Sequence, residues 1–111
     1  MQFDQTVDSI LPMQLKEIIE KGIPLTILDV REVDEVNICA LSNSVHIPLR
    51  NLREQWETLP QDQLIVTLCH HGYRSLQAAL FLKTQGFDAV LNLSGGIEGW
   101  GDLVDPEMTR Y

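Results

Sequence analysis

Cys69 opens the stretch Cys69-His70-His71-Gly72-Tyr73-Arg74-Ser75, which gathers the residue types most able to do chemistry in this chain. A cysteine reacts as its thiolate, so the question is what surrounds it. The apolar run Leu64-Ile65-Val66-Thr67-Leu68 before it reads as a buried strand, and Ser75 to Gln85 after it reads as a helix. Good helix formers fill that second segment, Lys83 falls in its last turn, and Gly86 suits the left-handed cap. A thiol placed between a strand end and a helix start near Arg74 or Ser75 has three reasons to ionise: the helix N-terminus, the loop amides and the Arg74 cation. Gly72 lets successive N–H groups curl around one point. Such a nest suits a cysteine thiolate, and equally the terminal sulfur of a persulfide formed when Cys69 attacks a sulfur donor. Arg74 adds charge-assisted donors for an incoming anion. The Cys69 pKa is accordingly expected to be depressed.

The competing reading of Cys69 is a small buried hydrophobe at a strand end, as most free cysteines are. A strand, then Cys-x-x-Gly-x-Arg-Ser, then a helix is a joint pattern that argues against it. Adjacent His70 and His71 chelate one ion poorly and no Cys/His set at zinc spacing follows, so no metal is expected; the pair is read as shaping the pocket rim. His46 is read as a strand-end structural residue. Cys39 is read as a packed cysteine, and a Cys39–Cys69 disulfide is disfavoured where no secretory signal is seen.

The charge distribution supports the loop as an anion site. The chain of 111 residues carries a net charge of −8, which repels phosphate backbones and anionic membrane surfaces, so neither nucleic acid nor lipid is an expected partner. From Gln63 to Phe87, however, there is no Asp or Glu, while Arg74 and Lys83 are present. An anion is least repelled there. A hydrophobic content of 44% and a charged content of 22% are those of a globular protein rather than a disordered one. The length fits a single domain over 1–111. No apolar run reaches the ~18 residues of a membrane span, and the start Met1-Gln2-Phe3-Asp4 is acidic, so a cytoplasmic location is the expectation.

The elements that must position the loop follow from periodicity. Leu11, Leu15, Ile18 and Ile19 recur at helical spacing between Pro12 and Gly22, predicting a helix over 12–21. Leu25 to Leu28 reads as a buried strand, followed by a charged stretch after Asp29. Val45-His46-Ile47 reads as a short strand. Leu49, Leu52, Trp56 and Leu59 share one face of a helix over 49–59 that Pro60 ends. Ala89 to Leu93 makes a further strand before the turn Ser94-Gly95-Gly96. Strands alternating with helices predict an α/β fold with a mainly parallel sheet.

With these pieces in order, the chain resembles the rhodanese homology family. Asp29-Val30-Arg31-Glu32 is similar to that family's Asp-x-Arg segment, and His46-Ile47-Pro48-Leu49 to its Asn-Ile-Pro segment. Cys69 to Arg74 is similar to its active-site loop, and Gly95-Gly96-Ile97 with Trp100 to its closing Gly-Gly-x-x-x-Trp signature. The resemblance implies a five-stranded, mainly parallel sheet with helices on both faces. It implies a sulfurtransferase in which Cys69 takes a sulfane sulfur from thiosulfate or a similar small anionic donor and passes it to cyanide or a thiol, with no cofactor. His70, His71, Gly72, Tyr73 and Arg74 would form the persulfide cradle, Arg74 orienting the donor. Asp29, Arg31, Gly95, Gly96 and Trp100 would be structural supports.

One segment departs from the family pattern. Where the family reads Gly-His-Ile-Pro-Gly-Ala, this chain has Cys39-Ala40-Leu41-Ser42-Asn43-Ser44, a turn made without glycine in which Asn43 can supply a left-handed residue. The variant is similar to rhodanese domains attached to enzymes that activate sulfur carriers, which implies a sulfur-carrier or sulfur-relay protein as partner. Two other functions compete. A cysteine phosphatase or arsenate reductase is disfavoured by spacing, because four residues separate Cys69 from Arg74 where protein-phosphatase loops have five. A non-catalytic binding module is disfavoured by the retention of Cys69, Gly72 and Arg74.

Overall fold

A computed structural model describes residues 7–111. Five strands, β1 (Ser9–Ile10), β2 (Leu25–Asp29), β3 (Val45–His46), β4 (Leu64–Leu68) and β5 (Val90–Leu93), form one sheet in the order β1-β5-β4-β2-β3. Every pairing is parallel. The longest runs in register from Leu25 opposite Leu64 to Asp29 opposite Leu68, and places β4 at the centre.

The helices are α1 (Pro12–Glu20), α2 (Val33–Ile38), α3 (Leu49–Gln55), α4 (Tyr73–Thr84) and α5 (Gly96–Leu103). Successive strand side chains point to opposite faces, so the sheet feeds two cores. Leu28 and Ile65 pack with Leu52 of α3 and with Ala78, Ala79 and Leu82 of α4. Ile27, Val66 and Leu68 pack on the other side with Leu15 of α1 and with Ile97 and Trp100 of α5. Both faces are covered, which explains why β2 and β4 are apolar almost throughout instead of alternating with polar residues. No helix among the described residues is long and apolar enough to cross a membrane.

The expected elements are present, with boundary corrections. Pro12 starts α1, and Gly22 (φ +70°) and Gly86 (φ +96°) follow α1 and α4 in the left-handed conformation. The predicted helix over 49–59 stops being α-helical at Gln55, continues as a 3-10 turn over Trp56–Thr58, and closes with the Leu59 amide donating to the Trp56 carbonyl at 3.1 Å. Helix α4 begins at Tyr73, one to two residues earlier than predicted, because Gly72 (φ +111°) turns the chain directly into it. The turn Ser94-Gly95-Gly96 leads into α5, which periodicity did not show, and the charged stretch after Asp29 contains α2. In the glycine-free turn, Asn43 takes φ +63°.

Candidate active site

Cys69 follows β4, the central strand, at the carboxyl edge of the sheet, where parallel α/β folds place their chemistry. The residue is 1% exposed, and its sulfur is ringed by donors. The Gly72 amide lies 3.1 Å from Sγ, the Ser75 amide 3.4 Å and the Ser75 hydroxyl 3.3 Å. Burial pushes the thiol pKa up, but the Ser75 hydroxyl and the amides of Ser75, Gly72 and Arg74 together outweigh it and hold the pKa below its ordinary value. The main chain and one hydroxyl do this. The Arg74 guanidinium is engaged elsewhere.

The loop is held from beneath by β5 and α5. Asn92 of β5, nearly buried, donates from Nδ2 to the Gly72 carbonyl at 3.0 Å and accepts the Ser75 hydroxyl at Oδ1 at 2.6 Å, with the Thr67 hydroxyl also 3.3 Å away. The Ser75 hydroxyl has a single proton to share between Asn92 and Cys69. With a neutral thiol it serves Asn92, and with a thiolate it can turn to the sulfur while Thr67 serves Asn92. At the start of α5, the Ile97 amide donates to the Cys69 carbonyl at 2.8 Å and the Glu98 amide to the His70 carbonyl at 3.1 Å. Gly96 (φ +60°) permits this approach: a Cβ there would fall on the His70 carbonyl and 2.5 Å from the Cys69 oxygen.

The side chains around the sulfur are tied to one another. Asp29 and Arg31 are fully buried and paired at 2.7 Å between Asp29 Oδ2 and Arg31 Nη2. Arg31 also donates to the Cys39 carbonyl (2.7 Å) and to the Tyr111 hydroxyl (3.1 Å). Burial works against the Arg31 charge, but Asp29 and Tyr111 more than offset it. Tyr111 donates to Glu35 Oε2 at 2.9 Å, and Glu35 takes Arg74 with both oxygens, at 2.6 and 2.9 Å. The same Glu35 accepts the Glu32 amide at the start of α2 (3.0 Å). Arg74, helped by that amide and Tyr111, holds the Glu35 carboxyl down to about 2, against burial. Burial and Glu35 push the Tyr111 hydroxyl up to about 12, although Arg31 pulls the other way.

Of the residues singled out from sequence, Cys69, His70, Gly72 and Arg74 converge on this centre, and Asp29 and Arg31 join it through Tyr111 and Glu35. The ring of His70 stacks between His71 (centroids 4.0 Å apart) and Tyr111 (4.1 Å), with Nε2 3.0 Å from Glu98 Oε2. Tyr73 is 78% exposed, so its side chain faces solvent. Gly95 (φ +75°) leads into Gly96, and Trp100 packs in the α1–α5 core with Ile97. His46 Nε2 lies 2.6 Å from the Arg31 carbonyl, and Cys39 and Cys69 are both free thiols.

Sequence reasoning missed Glu35, Asn92, Glu98 and Tyr111, and took Ser75 only as a helix start. Asn92 did leave a signal, as the lone polar residue in the run Val90-Leu91-Asn92-Leu93. Tyr111, 80 positions from the Arg31 it meets, left none.

A family model described as Rhodanese-like domain matches residues 11–103. "Probable adenylyltransferase/sulfurtransferase MoeZ" of Mycobacterium tuberculosis is 34% identical over 105 residues, covering 93% of this chain but only 27% of its own length. "Thiosulfate sulfurtransferase GlpE" of Actinobacillus succinogenes is 32% identical over 85 residues, covering 77% of each protein. The crystal structure of a rhodanese-related protein from Thermoplasma volcanium superposes with a TM-score of 0.79 at 37% identity, over 86% of this chain and 91% of that one. With the family model spanning residues 11–103 and the fold in agreement, the chain belongs to the rhodanese-like domain family.

Proposed function

We propose that the chain is a single-domain cytoplasmic sulfurtransferase that carries a sulfane sulfur as a persulfide on Cys69. The observation that carries this reading is the Cys69 sulfur ringed by the Gly72 and Ser75 amides and the Ser75 hydroxyl. Such a site stabilises an anionic sulfur without any metal or cofactor.

In the first half-reaction the Cys69 thiolate attacks the outer sulfur of the donor. With thiosulfate, the S–S bond breaks, sulfite leaves with the electron pair, and Cys69 becomes an anionic persulfide. With a protonated persulfide donor, the donor thiolate leaves and the proton stays on the transferred sulfur. In the second half-reaction cyanide, a thiolate or a protein acceptor attacks the terminal sulfur and Cys69 departs as thiolate. The donors that depress the Cys69 pKa serve both halves, since a low-pKa thiol is both ionised and a fast leaving group. The names of GlpE and MoeZ favour sulfur transfer, and MoeZ couples it by name to adenylyl transfer, which fits a sulfur-carrier or sulfur-relay protein as partner.

Incubation with a panel of sulfur donors, followed by intact mass, tests the reading. The expected product is one added sulfur on Cys69, absent in Cys69→Ser, with thiocyanate released on addition of cyanide. No adduct with any donor would sink the proposal.

A further inference from the structure

The nucleophile lies in an acid-free stretch of sequence, yet folding brings carboxylates to the arginines beside it among the described residues, Arg74 and Arg31. Arg74 is the cation that sequence position offers to an anionic donor: it lies in the first turn of α4, between Gly72 and Ser75, whose amides point at the sulfur. Both Glu35 oxygens hold it, at 2.6 and 2.9 Å, and the Tyr111 hydroxyl at 2.9 Å braces the second of them. On the other side of the loop, Glu98 faces His70 and is shared with Arg110, which also reaches Asp102. Arg31 is paired with Asp29. No cation among these is left without a carboxylate of the protein.

We infer that Glu35 is a specificity-determining residue: by clamping Arg74 it denies doubly charged donors such as thiosulfate their counter-charge and favours alkyl or protein persulfides, whose reacting end carries at most one charge. The inference rests on the sulfurtransferase reading and deepens it. A thiosulfate dianion must either displace Glu35 from a bidentate pair or approach Cys69 with no guanidinium free to neutralise it. A protonated persulfide faces neither penalty, because its sulfur is transferred and its thiolate leaves without needing a guanidinium. The loop amides, which do the work at the reacting sulfur, are common to both donors.

The test is a cycle of wild type, Glu35→Gln, Arg74→Gln and the double variant, each assayed with thiosulfate and with cysteine persulfide as donor. Glutamine retains an oxygen for the Glu32 amide, so α2 keeps its N-terminal contact, and a urea melt reports that each variant is folded. In this ping-pong scheme, kcat/KM for the donor isolates the first half-reaction.

The expected result is a rise of about tenfold in kcat/KM for thiosulfate in Glu35→Gln, with the persulfide value changed by less than about threefold. Arg74→Gln in the double variant should erase the gain. A parallel fall with both donors would make Glu35 a scaffold residue only and overturn the inference. So would wild-type enzyme that already prefers thiosulfate, or a thiosulfate gain that survives loss of Arg74. If wild type forms no Cys69 persulfide with either donor, the sulfurtransferase reading itself fails and takes this inference with it.

Discussion

Replacing Ser75 by alanine removes one hydroxyl and keeps the amide, so it separates the two contributions this residue makes to the Cys69 sulfur. A hydrogen bond to a charged acceptor is worth ~1.5–3 kcal/mol. Here the distance to Sγ is 3.3 Å, and the hydroxyl proton is contested by Asn92 Oδ1 at 2.6 Å. Length and competition take the contribution below that range, to about 1 kcal/mol, and its loss from the thiolate gives about fivefold less thiolate at any pH well below the titration midpoint. A more basic thiolate is also more nucleophilic, with a Brønsted slope of ~0.4–0.5, which returns about half of the loss on a logarithmic scale. Alkylation by iodoacetamide in Ser75→Ala should therefore be about twofold to threefold slower at low pH and about twofold faster on the high-pH plateau. The two pH profiles cross. Site-resolved mass spectrometry in a Cys39→Ser background gives the rate at Cys69 alone. Superimposable profiles, or a variant that is slower at every pH, would refute the assignment of the hydroxyl as a thiolate donor.

Two further outcomes follow from the geometry. Gly96→Ala forces a Cβ onto the backbone of Cys69 and His70 at a positive φ, so urea melts should show a loss of ~2–4 kcal/mol, with persulfide formation reduced in the surviving folded fraction; a loss under about 0.5 kcal/mol would show that the loop can move aside. Glu35, held down to about 2, stabilises the folded state fully above its ordinary value of 4.5, and that contribution disappears as pH falls from there to about 2. The stability difference between wild type and Glu35→Gln should accordingly narrow across that range, and a difference that stays constant from pH 5 to pH 2 would contradict the ion pair.

Much of this arrangement was legible in the sequence because it is local. The strand Leu64–Leu68, the cysteine after it, and Gly72 and Gly86 around the next helix each carry their own propensity. The two helices that periodicity did not reveal are ruled by other forces. Helix α2, Val-Asp-Glu-Val-Asn-Ile, has no buried residue and thus no apolar face to read; its start is marked by Glu35 accepting the Glu32 amide. Helix α5 contains three glycines, which alone would predict a turn, and forms because its first amides meet the carbonyls of Cys69 and His70 while Ile97 and Trp100 enter the core. The clamp on Arg74 was hidden for a different reason. The acid-free window is a property of the chain in one dimension, whereas Glu35, 39 positions away, is brought to it only by the pairing of β2 with β4.

The amides on the Cys69 sulfur belong to the same loop whose side chains at His71 and Tyr73 face solvent. The donors to the sulfur are thus main-chain amides and the Ser75 hydroxyl, and the side chains at 71 and 73 take no part in them. A library randomised at positions 71 and 73 could explore new acceptors while the thiolate keeps its donors.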